Sequence, residues 1–245
     1  MRALITGSSS GLGREIAYYL ASLNIDLILV ARRKKRLESI KDKVNVDVKI
    51  YSLDLSIAKN IYRLFGKLSA EPIDILINNA GFGLFGDFTK TSLEDEIEMI
   101  DLNIKATHII TKLFLLNNKE GYILNVSSAS GFLAGPKMAT YYATKNYILK
   151  LSLAIYEELR SNKSNISISV LCPGPFRSEF NKIAHSKFKL KSETSKVIAK
   201  YAIDKMFKRK LIIIPGVKIK LLLFLSRFLP YKLSLKIIYK IQTWR

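Results

Sequence analysis

Two adjacent tyrosines and a lysine stand close together in the segment ATYYATKNY, residues 139–147. Residues four apart share one face of a helix, so Tyr141 shares a face with Lys145, whereas Tyr142 points about 100° away. A free tyrosine has a pKa of about 10 and holds its proton too tightly to act as a base at neutral pH. A nearby ammonium group favours the phenolate and lowers that pKa. The spacing therefore predicts a tyrosine–lysine pair that can exchange a proton, with Tyr142 packing or lining a pocket beside it.

A glycine-rich segment, TGSSSGLG, occupies residues 6–13 between an apolar run, RALIT, and a run of helical spacing, GREIAYYLASL. Glycine lets the backbone turn sharply and approach a diphosphate closely. The amino terminus of the following helix adds free N–H groups and a partial positive charge. A tight turn without a ligand is the alternative, but the strand before it and the helix after it favour a dinucleotide site.

The second apolar run ends in the basic sequence LILVARRKKR. A site for NAD would place an acidic residue here, to accept a hydrogen bond from the ribose 2′-hydroxyl. Arg32 and Arg33 would instead pair with a 2′-phosphate. A solvated basic helix start is the alternative, and it fits residues 34–36. The two arginines therefore predict NADP(H) in preference to NAD(H).

Seven short apolar runs alternate with segments of helical spacing along the chain. The runs are RALIT, DLILVA, VKIYSL, DILINN, YILNVS, ISISVL and KLIII. This alternation predicts a parallel sheet covered by helices on both faces. The predicted fold class is α/β: a Rossmann-type, doubly wound, mostly parallel seven-stranded sheet, followed by a C-terminal amphipathic helical tail. Such sheets bind ligands at the carboxyl ends of their strands, so we expect the chemistry in the turns that follow them.

Six motifs in order give the chain a family resemblance. TGSSSGLG, NNAG at 78–81, Asn103, NVSSASG at 125–131, YYATK and PGPFRS at 173–178 together resemble the short-chain dehydrogenase/reductase family, in its smaller, single-domain branch. The resemblance covers roughly residues 1–180. It implies an NADP-dependent oxidoreductase that interconverts a carbonyl and an alcohol by hydride transfer. A non-catalytic, NADP(H)-sensing protein at a membrane surface is the competing class, and an epimerase or dehydratase is a third.

The resemblance implies four catalytic residues: Ser128, Tyr141, Lys145 and Asn103. Tyr141 would be the general acid or base, Lys145 would lower its pKa and bind the nicotinamide ribose, and Ser128 would hold the carbonyl oxygen. Asn103 would hold a water of the proton relay; a solvent-facing polar residue inside a helix is the alternative. Side chains alternate along a strand, so only one of Ser127 and Ser128 can face the site. Ser130 is a less favoured candidate than Ser128 for holding the carbonyl oxygen.

The resemblance also implies the residues that bind the cofactor. Asp54 and Leu55 would contact the adenine, and Phe176 stands where the family usually has a smaller aliphatic residue. The full set is Gly7, Ser9, Ser10, Gly11, Leu12, Gly13, Arg32, Arg33, Asp54, Leu55, Asn79, Ala80, Gly81, Tyr141, Lys145, Pro173, Gly174, Phe176 and Ser178.

The positive charge of the chain is concentrated at its C-terminal end. The net charge is +20, and no acidic residue follows Asp204. We predict a catalytic domain over 1–215, with a substrate lid at 179–195, and a basic tail of two helices over 216–245, divided at Pro230. Lysines at 232, 236 and 240 form a stripe opposite Leu233, Leu235, Ile237, Ile238 and Ile241. This pattern favours a helix lying on an anionic membrane surface; packing on the body or on a partner subunit is the alternative.

The remaining features exclude several classes of protein. The single cysteine, Cys172, cannot form an internal disulfide. His108 and His185 have no further ligands at metal-binding spacing, so we predict no metal. Nucleic acid is not expected, because the basic residues of the tail alternate with aliphatic ones rather than with stacking aromatics. We also expect no signal peptide and no membrane-spanning helix, and a cytoplasmic location with peripheral membrane contact. The expected substrate is a small carbonyl or alcohol compound. An oligomer of identical chains is an alternative to a monomer.

Overall fold

One parallel sheet organises the protein, whose computed structural model describes residues 1–176 and 193–243. Its strands are β1 (Arg2–Thr6), β2 (Asp26–Ala31), β3 (Val48–Ser52), β4 (Ile75–Asn78), β5 (Glu120–Val126), β6 (Asn165–Leu171) and β7 (Ile212–Ile213). The spatial order is β3-β2-β1-β4-β5-β6-β7, and each neighbouring pair is parallel. The chain order reverses between β1 and β4, which is where sheets of this type bind ligands. The predicted seven-stranded parallel sheet is confirmed.

Helices cover both faces of the sheet, as predicted. They are α1 (Gly11–Ser22), α2 (Lys34–Lys41), α3 (Ala58–Lys67), α4 (Leu93–Ile100), α5 (Thr107–Asn117), α6 (Ala139–Ser161) and α7 (Ser195–Phe207). Alternate residues of a strand face opposite sides. Ala3 and Ile5 accordingly belong to the core that includes α1 and α7, whereas Leu4 belongs to the core that includes α3 and α5.

The long helical segment after β4 is not a regular α-helix throughout. A single wider π-helical turn, Asp101–Ala106, separates α4 from α5. Turns of this type occur frequently at functional sites, because they redirect a side chain without ending the helix. Here the turn contains Asn103, which is only 1% exposed. The alternative of a solvent-facing asparagine is therefore wrong.

Two further helices follow the last strand: α8 (Val217–Ser226) and α9 (Tyr231–Thr243). Pro230 lies between them, as predicted. Ile219 of α8 packs against the turn after β6, where a Cβ added to Gly174 would lie 2.8 Å from the Ile219 side chain. Gln242 of α9 donates from Nε2 to the hydroxyl of Tyr142, at 2.8 Å. The two helices therefore lie at the carboxyl ends of the strands, beside α6.

The tail helices turn only part of their surface toward the body. On α9, Gln242 is buried and Ser234 and Ile238 are half-buried, whereas the other apolar residues of that helix are exposed. None of the helices in 1–176 and 193–243 is long and apolar enough to cross a membrane.

Candidate active site

A cavity of about 600 Å³ opens at the carboxyl ends of the strands. The turns after β1 to β6 contribute to its wall, and so do both tail helices. The predicted site residues on this wall are Gly7, Ser9, Ser10, Gly11, Leu12, Arg32, Arg33, Asp54, Leu55, Asn79, Ala80, Gly81, Ser128, Tyr141, Lys145, Pro173, Gly174 and Phe176. Ser178 and most of the predicted lid lie outside the described residues.

The glycine-rich loop, residues 6–13, is held against the turn after β4. Gly7 has a φ of +65°, and a Cβ there would lie 2.7 Å from the Cα of Ala80. Asn79 donates from Nδ2 to the carbonyl oxygens of Thr6 and Gly7, at 3.1 and 3.2 Å. Gly13 lies behind this contact rather than on the cavity wall, because its Cβ would lie 2.5 Å from the oxygen of Gly7. Gly13 thus allows the close packing of α1 on the loop, and its contact with the cofactor stays a prediction.

The two arginines after β2 have different surroundings. Arg33 donates to the hydroxyls of Ser9 (3.1 and 3.2 Å) and Ser10 (2.7 Å), so its guanidinium lies directly on the glycine-rich loop. Arg32 forms an ion pair with Glu98 of α4 at 2.8 Å and lies 3.7 Å from Asp54. Arg33 is thus the arginine that faces the phosphate-binding loop, whereas Arg32 is largely compensated by carboxylates.

Asp54 is fixed in the turn after β3. Its Oδ1 accepts hydrogen bonds from the Ser56 N–H at 2.9 Å and from the Ser56 hydroxyl at 2.7 Å. Partial burial raises the pKa of Asp54, but these hydrogen bonds and the charge of Arg32 outweigh it and hold the pKa below its ordinary value. The carboxylate therefore stays ionised and presents acceptor oxygens to the cavity.

The consecutive serines after β5 have opposite roles, as their alternation predicts. Ser127 is 3% exposed and donates to the carbonyl oxygen of Lys145 at 2.7 Å, so it joins the strand end to α6. The Ser128 hydroxyl accepts from the Ser130 N–H at 3.1 Å and begins the short 3-10 turn Ala129–Phe132. Burial raises the pKa of Tyr141, and the Ser128 hydroxyl beside the phenol offsets part of that rise. The Ser130 hydroxyl is buried and has no hydrogen-bond partner among the described residues.

Tyr141 and Lys145 lie one turn apart on α6, as predicted. The Lys145 Nζ lies 5.8 Å from the centroid of the Tyr141 ring and donates to the carbonyl oxygen of Val126 at 2.9 Å. Burial lowers the pKa of Lys145 to about 8. Burial also raises the pKa of Tyr141 above its ordinary value, and the Ser128 hydroxyl offsets only part of that rise. Burial of the phenol thus outweighs the other effects on the Tyr141 pKa, and the predicted lowering of that pKa by Lys145 stays a prediction.

Asn103 lies behind the cavity and fixes its floor. Its Oδ1 accepts from the Phe82 N–H at 3.1 Å, and its Nδ2 donates to the Phe82 carbonyl at 2.9 Å and to the Thr144 hydroxyl at 3.0 Å. A Cβ added to Gly81 would lie 2.7 Å from Asn103 Oδ1 and 3.5 Å from Lys145 Nζ. Asn103 and Lys145 therefore approach the same glycine from the π-turn and from α6.

The contribution of the tail is the part of the site that the motifs did not predict. Six tail residues line the cavity together with Tyr142: Ile219, Leu222, Leu223, Ile238, Ile241 and Gln242. Tyr142 packs its ring against Gly135, as a pocket-lining neighbour of Tyr141. The alternation of apolar and basic residues in the tail indicated helices with one apolar face. It carried no signal for contact with a residue 100 positions earlier in the chain.

His108 and Cys172, which the sequence analysis also considered, have surroundings in the structure that can be described. His108 Nδ1 lies 2.7 Å from the Tyr147 hydroxyl. Within the described part of the chain, no group of three or more His, Cys, Asp or Glu side chains is arranged to hold a metal ion. Cys172 is fully buried, and burial raises its pKa to about 12.

Comparison with known proteins identifies the family. The family model for short chain dehydrogenases matches residues 1–188. An uncharacterized oxidoreductase from Staphylococcus epidermidis is 33% identical over 177 residues, which are 70% of this chain and 76% of that protein. A very-long-chain 3-oxoacyl-CoA reductase from Laccaria bicolor is 34% identical over 180 residues, which are 69% of this chain and only 53% of that protein.

A solved structure shows how far the likeness in fold extends. A short-chain dehydrogenase from Sphingobium yanoikuyae, solved in complex with NADPH, superposes with a TM-score of 0.81 at 27% identity and covers 100% of this chain and 97% of that one. The fold, the cavity and these matches define a nucleotide-binding oxidoreductase of the Rossmann type. The chain belongs to the short-chain dehydrogenase family.

Proposed function

We propose that the protein is an NADPH-dependent oxidoreductase that interconverts a carbonyl group and an alcohol on a hydrophobic substrate. One observation carries the proposal: Ser128, Tyr141 and Lys145 line the same cavity as the glycine-rich loop and Arg33. A proton donor, a hydrogen-bonding hydroxyl and a dinucleotide loop are the parts that carbonyl reduction needs from the protein.

The residues present fit a phosphorylated dinucleotide. Gly7 lets the glycine-rich loop pack closely on the turn after β4, where a Cβ would lie 2.7 Å from the Cα of Ala80, and Arg33 donates to the serine hydroxyls of that loop. Arginine pairs bidentately with phosphate, so Arg33 would bind the 2′-phosphate that NADP(H) carries and NAD(H) lacks, which supports the proposed preference for NADP(H). The bound cofactor would supply or accept the hydride. Asp54, Leu55, Asn79, Ala80 and the residues from Pro173 to Phe176 would hold its remaining parts.

Tyr141 would donate the proton to the substrate oxygen. The phenol is protonated at neutral pH, as a proton donor in the reducing direction must be, and a nearby cation would be needed to offset the rise in its pKa that burial causes. Ser128 would hold the carbonyl oxygen by a hydrogen bond. Lys145 would contribute a positive charge near the phenol and the ribose, and Asn103 would keep the Gly81–Phe82 turn in place beside it.

The direct test is NADPH oxidation with a panel of aldehydes and ketones. Tyr141→Phe should lose at least about 10²-fold in turnover while it keeps its affinity for NADPH, measured by nucleotide fluorescence. Tyr142→Phe is the matched control and should lose much less. Binding of NADPH without turnover of any compound by the wild-type protein would favour the sensing protein instead, and full activity of Tyr141→Phe would reject the assigned role.

The lining of the cavity supports a hydrophobic substrate. Five of the six tail residues on the wall are aliphatic: Ile219, Leu222, Leu223, Ile238 and Ile241. Pockets lined by apolar side chains with a few polar groups bind ligands mainly through apolar contact. The name of the Laccaria bicolor relative points to a long acyl substrate for that protein, which is consistent with a lipid-like substrate here.

We propose in addition that the tail rests on an anionic membrane surface. The outward side of the tail combines large exposed side chains, such as Phe228 between the two helices (72% exposed) and Tyr231 in α9 (88%), with exposed lysines at 232, 236 and 240. No acidic residue follows Asp204, so the charge of this surface complements anionic lipid. Exposed apolar residues flanked by basic ones are typical of helices that lie in a membrane interface.

A further inference from the structure

One polar side chain lies among the apolar residues that the tail contributes to the cavity. Gln242, in the last turn of α9, is only 9% exposed. Its Nε2 donates to the Tyr142 hydroxyl at 2.8 Å. Its Oε1 is buried and has no hydrogen-bond partner among the described residues. The amide is thus half satisfied, and it lines the cavity.

The unpaired Gln242 Oε1 is unfavourable for stability, so its presence in the cavity wall calls for a physical explanation. A buried acceptor without a partner destabilises the folded protein, and the neighbouring positions of the tail on this wall are aliphatic. Most buried polar groups in proteins have a partner, so an exception that lines a ligand cavity is where a ligand would supply one. The Gln242 amide therefore has the features of a recognition group rather than of a packing residue.

Tyr142 connects this amide to the reaction centre. Its ring packs over Gly135, where an added Cβ would lie 2.4 Å from the ring, so the ring has little freedom to move. It meets the Tyr141 ring edge to face, with centroids 6.2 Å apart. The Tyr142 hydroxyl fixes the Nε2 side of the Gln242 amide, and Oε1 is left without a partner in a residue that lines the cavity. A substrate held at Tyr141 would therefore extend along Tyr142 toward Gln242.

We propose that Gln242 and Tyr142 form a polar subsite that binds a hydroxyl group on an otherwise hydrophobic carbonyl substrate. A hydroxyl is both donor and acceptor, so it satisfies the free side of the amide whichever of its two atoms faces the cavity. The inference rests on the proposed function and adds the substrate class: a ketone or aldehyde whose apolar body carries a hydroxyl away from the reacting carbon. In this role the tail selects the substrate.

The test compares matched ketones. A long-chain methyl ketone is paired with a series of analogues that carry one hydroxyl at successive chain positions. The wild-type protein should favour one hydroxylated analogue over the plain ketone by about 10-fold or more in kcat/KM, because the plain ketone leaves the amide unpaired. Gln242→Met keeps the side-chain length and removes the amide. It should lower kcat/KM for the preferred analogue and raise it for the plain ketone, so that the ratio falls to about 2-fold or less.

Two further variants separate recognition from structural damage. Thr243→Val, the exposed neighbour in the same turn, is the matched control and should keep the wild-type ratio. Tyr142→Phe removes the hydroxyl that orients the Gln242 amide. It should reduce the ratio of kcat/KM between the hydroxylated and the plain ketone although the tail sequence is unchanged. Thermal unfolding and NADPH fluorescence establish that each variant is folded. If Gln242→Met does not fold, the ratio in Tyr142→Phe decides the matter.

The outcomes distinguish this subsite from the proposed function. Equal kcat/KM for the plain and hydroxylated ketones in the wild-type protein, unchanged in Gln242→Met, would overturn the subsite while the oxidoreductase function stands. If no ketone is turned over, calorimetric titration of the same pairs into the NADPH-bound protein still tests the subsite. Equal dissociation constants within each pair would then reject it, and a preference lost in Gln242→Met would support it.

Discussion

Arg32 and Arg33 are neighbours in sequence with separate electrostatic surroundings. Glu98 and Asp54 compensate Arg32, whereas Arg33 donates to the serines of the glycine-rich loop. We expect Arg33→Ala to weaken NADPH binding by about 10- to 100-fold, because one charge-assisted contact to the 2′-phosphate, which NADH lacks, contributes about 1.5–3 kcal/mol. NADH binding should change little. Titration of each cofactor against nucleotide fluorescence measures both effects.

Arg32→Ala is the matched control for this prediction. It removes the same charge from the adjacent position, but it also releases Glu98 and Asp54, so its effect on NADPH should be smaller than that of Arg33→Ala. The reverse order would mean that the phosphate-binding arginine is Arg32, and equal loss of NADH and NADPH in Arg33→Ala would remove the argument for NADPH.

Burial of Lys145 makes the free energy of unfolding depend on pH. Its pKa is lowered from 10.5 to about 8 in the folded protein, so between these values the unfolded chain binds more protons than the folded one. The contribution of Lys145 to the free energy of unfolding therefore rises with pH across this window, and below pH 8 the full cost of burying the charge applies. Lys145→Met removes this cost.

We expect the difference in the free energy of unfolding between Lys145→Met and the wild-type protein to be largest below pH 8. It should narrow as the pH rises toward 10.5. Denaturant unfolding at a series of pH values measures this. Lys150→Met changes an exposed lysine of the same helix and should show a constant difference. A constant difference for Lys145→Met as well would mean that the lysine is not desolvated in the folded protein.

At the scale of single residues, motif spacing located Tyr141, Lys145 and Ser128 in one cavity but did not predict their protonation. The distance along a helix follows from the sequence, because α6 repeats its face every four residues. The degree of burial depends on what covers the helix from elsewhere in the chain. Tyr142 and the tail cover this end of α6, so the rise in the Tyr141 pKa is a tertiary effect.

At the scale of elements, the π-turn gives Asn103 a position that a regular helix would not. Asn103→Ala would leave the Phe82 N–H and carbonyl and the Thr144 hydroxyl without this partner. We expect a loss of about 1–3 kcal/mol in the free energy of unfolding. NADPH should also bind more weakly, because the turn at Gly81 lines the cofactor cavity. Denaturant unfolding and nucleotide titration measure the two effects.

Asn117→Ala, at the exposed end of α5, is the control for Asn103→Ala and should be nearly neutral. Wild-type stability in Asn103→Ala would show that the π-turn does not depend on this side chain. The segment LEDEIEMIDLNIKATHIITKLFL, residues 93–115, has helical spacing throughout and so predicts a single regular helix, because apolar periodicity indicates the buried face of a helix but not one turn that is wider by a residue. The strands were easier to predict, because their runs are short, apolar and buried on both sides.

At the scale of the whole molecule, positively charged residues and exposed apolar residues are both concentrated on the tail. We expect the protein to co-sediment with vesicles that contain phosphatidylserine, and far less with neutral phosphatidylcholine vesicles. Replacing Lys232, Lys236 and Lys240 by Gln should weaken binding by about 100-fold, at about 1 kcal/mol for each lysine. Added salt should reduce the binding of the wild-type protein.

The control for this variant replaces three exposed lysines of the body, Lys43, Lys112 and Lys150, by Gln. It has the same net charge and should keep most of the affinity. Equal losses in both triple variants would indicate binding by net charge alone, and no binding of the wild-type protein to either kind of vesicle would reject the membrane surface. From the sequence, the tail could be predicted as two helices with a lysine stripe, but not as a wall of the cavity.

The helices that close the cavity contribute no strand to the sheet. Mutations in α8 and α9 therefore leave the strand register of the sheet unchanged, while residues such as Leu223 and Gln242 shape the cavity in which the proposed substrate would bind. Substrate range can drift in this protein without disturbing the machinery for proton transfer. Exchange of the tail between related enzymes would then be a direct route to reprogramming what each of them reduces.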